Sequence, residues 1–152
     1  MAGTSFEFEG LEELAEALEK VQKACPDFAL KQINAAGNHF RRDVKKRTDE
    51  RTKKGKGNLI KGYKKVIVLT SISKKSYEAQ VSGGNGKGRH FHLVEHGHEG
   101  FVFDRQNKVF KYIGFVEGKH MMKDTIEDWD KNQKLIPYAV KAVEEAIKKG
   151  FV

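Results

Sequence analysis

Hydrophobic positions along the chain follow two periods, one helical and one extended. Ser5 to Glu9 alternates as a short strand would, and Gly10 breaks it. Leu11, Leu14, Leu18 and Val21 are spaced three, four and three, which draws one apolar stripe and predicts a first helix. Pro26 followed by Asp27 marks the first turn of a second helix. A proline there gives up an N–H that would be unpaired anyway, and the carboxylate suits the positive end of the dipole. This helix carries Ile33, Ala36, Gly37, Phe40 and Val44 on one face and is expected to run to about Thr48. The period then falls to two. Val66 to Ile72 and Tyr77 to Val81 are rich in β-branched and aromatic residues and predict an antiparallel pair turning at Ser73-Lys74-Lys75. Gly83 to Gly88 predicts a flexible connection, and Phe91 to Gly97 a compact segment. Gly100 to Phe115 predicts a further hairpin, with Asp104, Arg105, Gln106 and Asn107 at its tip. Helical spacing returns with Met121, Met122, Thr125, Ile126 and Trp129, whose buried side Ile126 and Trp129 mark. It breaks near Asn132 and resumes in a longer stripe of Leu135, Ile136, Ala139, Val140, Val143 and Ile147, ended by Gly150.

The order of helices, then strands, then helices predicts an α+β fold, with an antiparallel β-sheet packed against N-terminal and C-terminal helices. At 152 residues and 38% hydrophobic, the chain has enough apolar material for one core and too little length for two ordinary domains. A single domain over residues 1–152 is therefore expected, with no repeat and no linker. No apolar run approaches the length of a membrane span, and the first residues lack the basic and apolar parts of a signal peptide. The expectation is a protein made and kept in a reducing cytoplasm, without membrane contact. Cys25 is the one cysteine, which excludes an intrachain disulfide and a four-cysteine zinc site and leaves a packed thiol.

Charge sharpens this outline. Residues 41–65 hold twelve of the 29 Lys and Arg against Asp43, Asp49 and Glu50, a surplus of nine, so with a net charge of +8 the rest of the chain sums to about −1. A near-neutral body with one cationic arm is built to meet one acidic surface, on a neighbouring subunit or a polyanion. Within the arm, Lys53-Lys54-Gly55-Lys56-Gly57 is repulsive and glycine-rich, and a flexible basic loop is expected at about residues 49–62. Candidate subunit or DNA contacts are Arg41, Arg42, Lys45, Lys46, Lys53, Lys54, Lys56, Lys61, Lys64 and Lys65. Tyr63 is the one aromatic residue among these lysines, too few for a platform that stacks single strands.

Other constellations carry weaker chemistry. His90, His92, Glu95, His96, His98 and Glu99 crowd one segment, and His90 and His92 would share a strand face suited to zinc. The spacing of a catalytic site such as His-Glu-x-x-His is missing, so the histidines read as polar residues around a turn. Gly84, Gly86 and Gly88 imitate a phosphate loop without its spacing or its strand-to-helix setting. No nucleophile-base pairing and no pair of catalytic carboxylates stands out. Glu127, Asp128 and Asp130 read as a solvated helix face, and Met121-Met122 as core or a subunit contact. The composition excludes neither a small toxin-like nucleic-acid-binding module nor a metal-dependent nuclease using His90, His92, His96 and Glu95, but no cofactor or catalytic site is expected.

The order of short motifs points further. Phe6, Phe8, Gly10, Leu11 and Leu14 lead into a long helix ending in cations. Gly57-Asn58-Leu59, a hairpin with Tyr77-Glu78-Ala79-Gln80-Val81, Leu93-Val94-Glu95-His96-Gly97, and a helix introduced by Gly118-Lys119-His120-Met121-Met122 follow. This order resembles the neck and tail-completion proteins that join heads to tails in tailed phages and prophages. Lys56 stands where that family often has Thr, Gly118-Lys119 where many members have Arg-Pro, and residues 99–116 look like an insertion. The resemblance implies a non-enzymatic virion protein, a neck ring or tail terminator at the head-tail junction. Its implied partners are its own copies in a ring, the adjoining connector and tail tube proteins, and packaged DNA touched non-specifically. Glu95, His96 and Gly97 are the candidate assembly turn.

Overall fold

The computed structural model of the chain describes residues 11–53 and 56–151. The Ser5–Glu9 strand, the Phe6, Phe8 and Gly10 positions, and Lys54 lie outside them. Leu11–Arg51 form a single α-helix, α1, of 41 residues. The helix start expected at Pro26 is thus corrected: the proline sits inside the helix, where it removes one backbone hydrogen bond and costs about 3 kcal/mol in an isolated helix. Tertiary packing on both sides of Pro26 holds the helix together. The last helix, α5 (Ile136–Gly150), lies antiparallel along α1. Tyr138 is hydrogen-bonded to His39 at 2.8 Å, Glu145 accepts from Lys31 and Gln32 at 3.5 Å, the Lys149 ammonium lies 5.9 Å from the Phe28 ring centre, and Gly150 abuts Ala17 and Val21.

The contact between α1 and α5 is made by small residues. Ala142, Ala146 and Gly150, spaced by four, are buried, and a Cβ on Gly150 would come within 2.3 Å of Val21 Cγ2 and 2.9 Å of the Ala17 carbonyl. Only small side chains let the two backbones approach this closely. The larger stripe of Leu135, Ile136, Ala139, Val140, Val143 and Ile147 consequently faces solvent.

The loop expected at about 49–62 is shorter than predicted. Asp49, Glu50 and Arg51 continue α1, and Lys56–Lys61 form a short helix, α2. Leu59 supplies the apolar anchor that charge repulsion alone would not suggest, since its side chain is buried. Strands β1 (Lys64–Ser71) and β2 (Ser76–Ser82) then pair antiparallel with Ile67 opposite Ala79 and Leu69 opposite Tyr77. Tyr77, Ala79 and Val81 are half-buried beside α1, whereas Glu78, Gln80 and Ser82 are exposed, Glu78 at the rim of the space between β2 and α1. A 3-10 turn at Gly86–Gly88 leads to α3 (Phe91–His96). A second antiparallel pair follows, β3 (Gly97–Asp104) and β4 (Val109–Glu117), then α4 (Met121–Lys131) ending at Asn132 as expected. The α+β class holds, but the strands make two separate two-stranded sheets.

The core lies where α1, α2 and α4 meet. Val44, Thr48, Met121 and Thr125 are fully buried. The Thr48 hydroxyl bonds the Val44 carbonyl at 2.8 Å and the Tyr63 hydroxyl at 2.7 Å, and Tyr63 packs edge-on against Phe91. Burial pushes the Tyr63 phenol above its ordinary range. Its burial takes Tyr63 out of reach of a nucleic acid.

Candidate assembly surface

A groove of about 490 Å³ opens between α1, β2 and α4. Its floor is apolar: Ile33, Gly37 and Phe40 of α1, Ala79 of β2, and Met122 and Ile126 of α4. Ile126, expected on the buried side, is instead an open wall of this groove and is exposed. Trp129 sets the crossing of α4 over α1. Its ring meets Phe40 and His39 edge-on, with centroids 5.3 Å and 5.2 Å away, and its Nε1 donates to Asp43 at 2.8 Å. The charged residues lining the groove are Glu78 and Asp130.

A row of ion pairs fixes the α4 wall. Arg51 reaches Asp124 at 2.6 Å and also donates to the Lys119 carbonyl, so one guanidinium holds the start of α4. Lys134 bridges Asp128 at 2.6 Å and Asp43 at 3.5 Å, and Arg47 stands 4.0 Å from Asp128. The Arg51 hydrogen bond holds the Asp124 carboxyl below its usual range, and Lys134 does the same to Asp128. Asp128 in turn raises Lys134. Asp128, expected on a solvated helix face, is instead a structural tie.

The predicted cations divide by location. Arg41, Arg42, Lys45 and Lys46 follow the i, i+1, i+4, i+5 spacing that puts four side chains on one face of a helix. Arg42 and Lys46 are exposed, Arg41 and Lys45 half-buried. Arg41 Nε is buried with no hydrogen-bond partner among the described residues. Lys53, Lys61 and Lys64 are exposed on other segments, and Lys56 begins α2. Lys65 turns onto α1, where its ammonium donates to Asn34 and its stem covers Gly37.

The Glu95, His96, Gly97 turn separates into different roles. Glu95 is 2% exposed, and its carboxylate accepts from the backbone N–H of Met122 at 3.1 Å and of Lys123 at 2.9 Å. His120, the residue before α4, makes no side-chain cap. Glu95 therefore caps α4 from another part of the chain, where a negative charge meets the positive helix end. His96 is exposed, and Gly97 has φ 83°. His90 precedes α3 and His92 lies within it, so the strand face expected to pair them does not exist. Among the described residues no group of three His, Cys, Asp or Glu is arranged to hold a metal ion, and no helix is long and apolar enough to cross a membrane.

The second hairpin stands where its pattern predicts, but in an open setting. Phe101 pairs with Tyr112 and Phe103 with Phe110, the rings 5.5 Å and 5.1 Å apart, and all four are largely exposed. Val102, Val109, Ile113, Phe115 and Val116 are exposed as well. The signal was available: Phe101-Val102-Phe103 and Val109-Phe110 are apolar without alternation, the pattern of strands covered on both faces. At the tip, Asp104 accepts from the N–H of Gln106 and Asn107 and from Lys111 at 2.6 Å. Those donors hold its carboxyl down to about 2. The root is tightly seated. Lys119 N–H donates to the Val94 carbonyl at 2.7 Å, and a Cβ on Gly118 would stand 2.4 Å from the Glu95 carbonyl.

A family model described as "Bacteriophage HK97-gp10, putative tail-component" (HK97-gp10-like) matches residues 12–97, more than half of the chain. The match covers nearly all of α1, then α2, the first hairpin and α3, and it stops where β3 begins. No curated protein and no solved structure matches the chain.

Proposed function

The chain belongs to this family of phage tail components, and from that premise we propose that it is a ring-forming structural protein of the head-tail junction, completing or terminating the tail. The observation that carries this reading is the inverted distribution of apolar side chains. Alanines fill much of the buried set, whereas Leu135, Val140, Val143 and Ile147 on α5 and the aromatic residues of β3 and β4 lie exposed. Exposed apolar area on this scale marks surfaces that other protein covers. The surfaces on α5, on the second hairpin and in the groove differ from one another, so copies meet through unlike faces, the heterologous contact from which closed rings are built. The face of Arg41, Arg42, Lys45 and Lys46 meets acidic surface on a neighbouring subunit or on the connector and tail tube proteins above and below. Packaged DNA would touch the same face only through phosphates, without sequence preference.

Light scattering of the purified protein at low and high salt, with negative-stain images of large species, tests the ring. Closed rings are the expected result. A monomer at every salt and concentration, binding duplex or RNA in a salt-sensitive way that the loss of Arg41, Arg42, Lys45 and Lys46 abolishes, would replace the reading with a nucleic-acid-binding module. Deleting the gene from the phage or prophage that encodes it is expected to leave filled heads and tails unjoined.

A further inference from the structure

The β3–β4 hairpin and the groove between α1, β2 and α4 are complementary in three respects. One is apolarity: the hairpin offers Phe101, Phe103, Phe110 and Tyr112, with Phe110 72% exposed, and the groove floor is apolar. The second is charge. Arg105 and Lys108 on the tip have no ion-pair partner among the described residues, and the same is true of Glu78 and Asp130 in the groove. The third is size, since each aromatic side chain buries roughly 150–250 Å². Four partly exposed rings supply on the order of half of the about 800 Å² per partner that a standard interface buries. The hairpin's principal packing, apart from its own strands, is with α3, and its root is locked by the seating of Gly97 and Gly118 against the backbone of the opposite strand and of α3. Folding back onto its own groove would have to break that root. A strand of eight residues spans about 25 Å from root to tip.

We propose that the β3–β4 hairpin is an intersubunit arm whose aromatic face seats in the α1–β2–α4 groove of a second copy of this chain, with Arg105 and Lys108 meeting Glu78 and Asp130. The proposal rests on the reading of the chain as a ring subunit and names the contact that links one subunit to the next. It is a heterologous contact, arm into groove, so each copy both gives and receives.

Charge reversal tests it in the full chain. Variant one carries Arg105→Glu and Lys108→Glu, variant two Glu78→Lys and Asp130→Lys, and variant three all four; sedimentation velocity over a concentration series reads association. Variants one and two are each expected to self-associate at least about tenfold more weakly than the wild type, because like charges then face each other. An equal mixture of one and two is expected to assemble with alternating copies, and variant three to assemble alone. Phe103→Ser with Phe110→Ser is expected to abolish association while the far-ultraviolet circular dichroism spectrum stays that of the wild type, and the melt loses only its dependence on protein concentration. If the wild type and all of these variants form the same rings, the ring reading stands and the arm contact is overturned. A mixture that fails to recover association also overturns it. A wild type that stays monomeric throughout overturns both, and seating of the hairpin on a tail tube protein instead would then show as binding lost in variant one.

Discussion

Two antiparallel hairpins of nearly equal length sit on this chain and have opposite surroundings. In β2, half-buried Tyr77, Ala79 and Val81 alternate with exposed Glu78, Gln80 and Ser82, and the hairpin rests on α1. In β3–β4 the alternation is absent, and Phe101, Val102, Phe103, Val109 and Phe110 are all exposed. The first hairpin has a partner within the chain for one face, and only Val66, Leu69 and Ile72 of it are exposed large apolar residues; the second presents apolar residues on both faces that the described residues do not cover. Alternation thus tells which surface a sequence intends to bury alone and which it leaves for another molecule.

The largest effect belongs to the body. Trp129→Ala removes the side chain that seats α4 on Phe40 and His39 and leaves Asp43 without its indole donor, and it is expected to cost about 3–5 kcal/mol in urea denaturation. Glu95→Ala comes next, at about 1–3 kcal/mol, since two N–H groups at the start of α4 lose a buried acceptor. Glu95→Gln keeps one acceptor oxygen and should cost less. The same polar change then separates the hairpins: Val81→Ser on β2 is expected to cost about 1 kcal/mol, and Phe110→Ser on β4 to stay within about 0.5 kcal/mol. Equal costs at the two sites would erase the contrast.

The smallest effect is that of pH on the ties of α4. Asp124 and Asp128 are depressed below the unfolded carboxyl value of about 3.9, so their contribution is complete above that value and is lost as pH falls through their folded values. Lys134 is raised, so its contribution is complete below about 10.4 and is lost as pH rises through its folded value. A melting temperature that is flat between these limits and falls modestly outside them is expected. Lys134→Met should weaken both limbs, whereas variants of the second hairpin should change neither.

Much of the fold was legible because local pattern and final packing agree in it. The stripe of Ala36, Gly37, Phe40 and Val44, both hairpins with their turns, and the stop at Asn132 follow directly from period and turn chemistry. Local pattern misleads where a distant segment decides. Pro26 stays helical because α5 spans it, and nothing local announces that. The apolar stripe of α5 runs through its largest side chains, but the contact with α1 selects Ala142, Ala146 and Gly150, whose small side chains carry little hydrophobic signal. Glu95 looked like a surface turn residue because its partners, Met122 and Lys123, lie far along the chain. The basic face of α1 was visible as charge, whereas the groove beside it exists only after three elements meet.

Gly97 and Glu117 are paired neighbours, so the second hairpin leaves the body and returns to it at the same place, just where the family match stops. A segment with coincident ends can be gained, lost or exchanged in one in-frame event without disturbing what lies on either side. Heredity can then treat it as a cassette: the body is kept for its fold while the projecting piece is replaced, so that a change of neighbour in one virion requires rewriting about twenty residues rather than a whole domain.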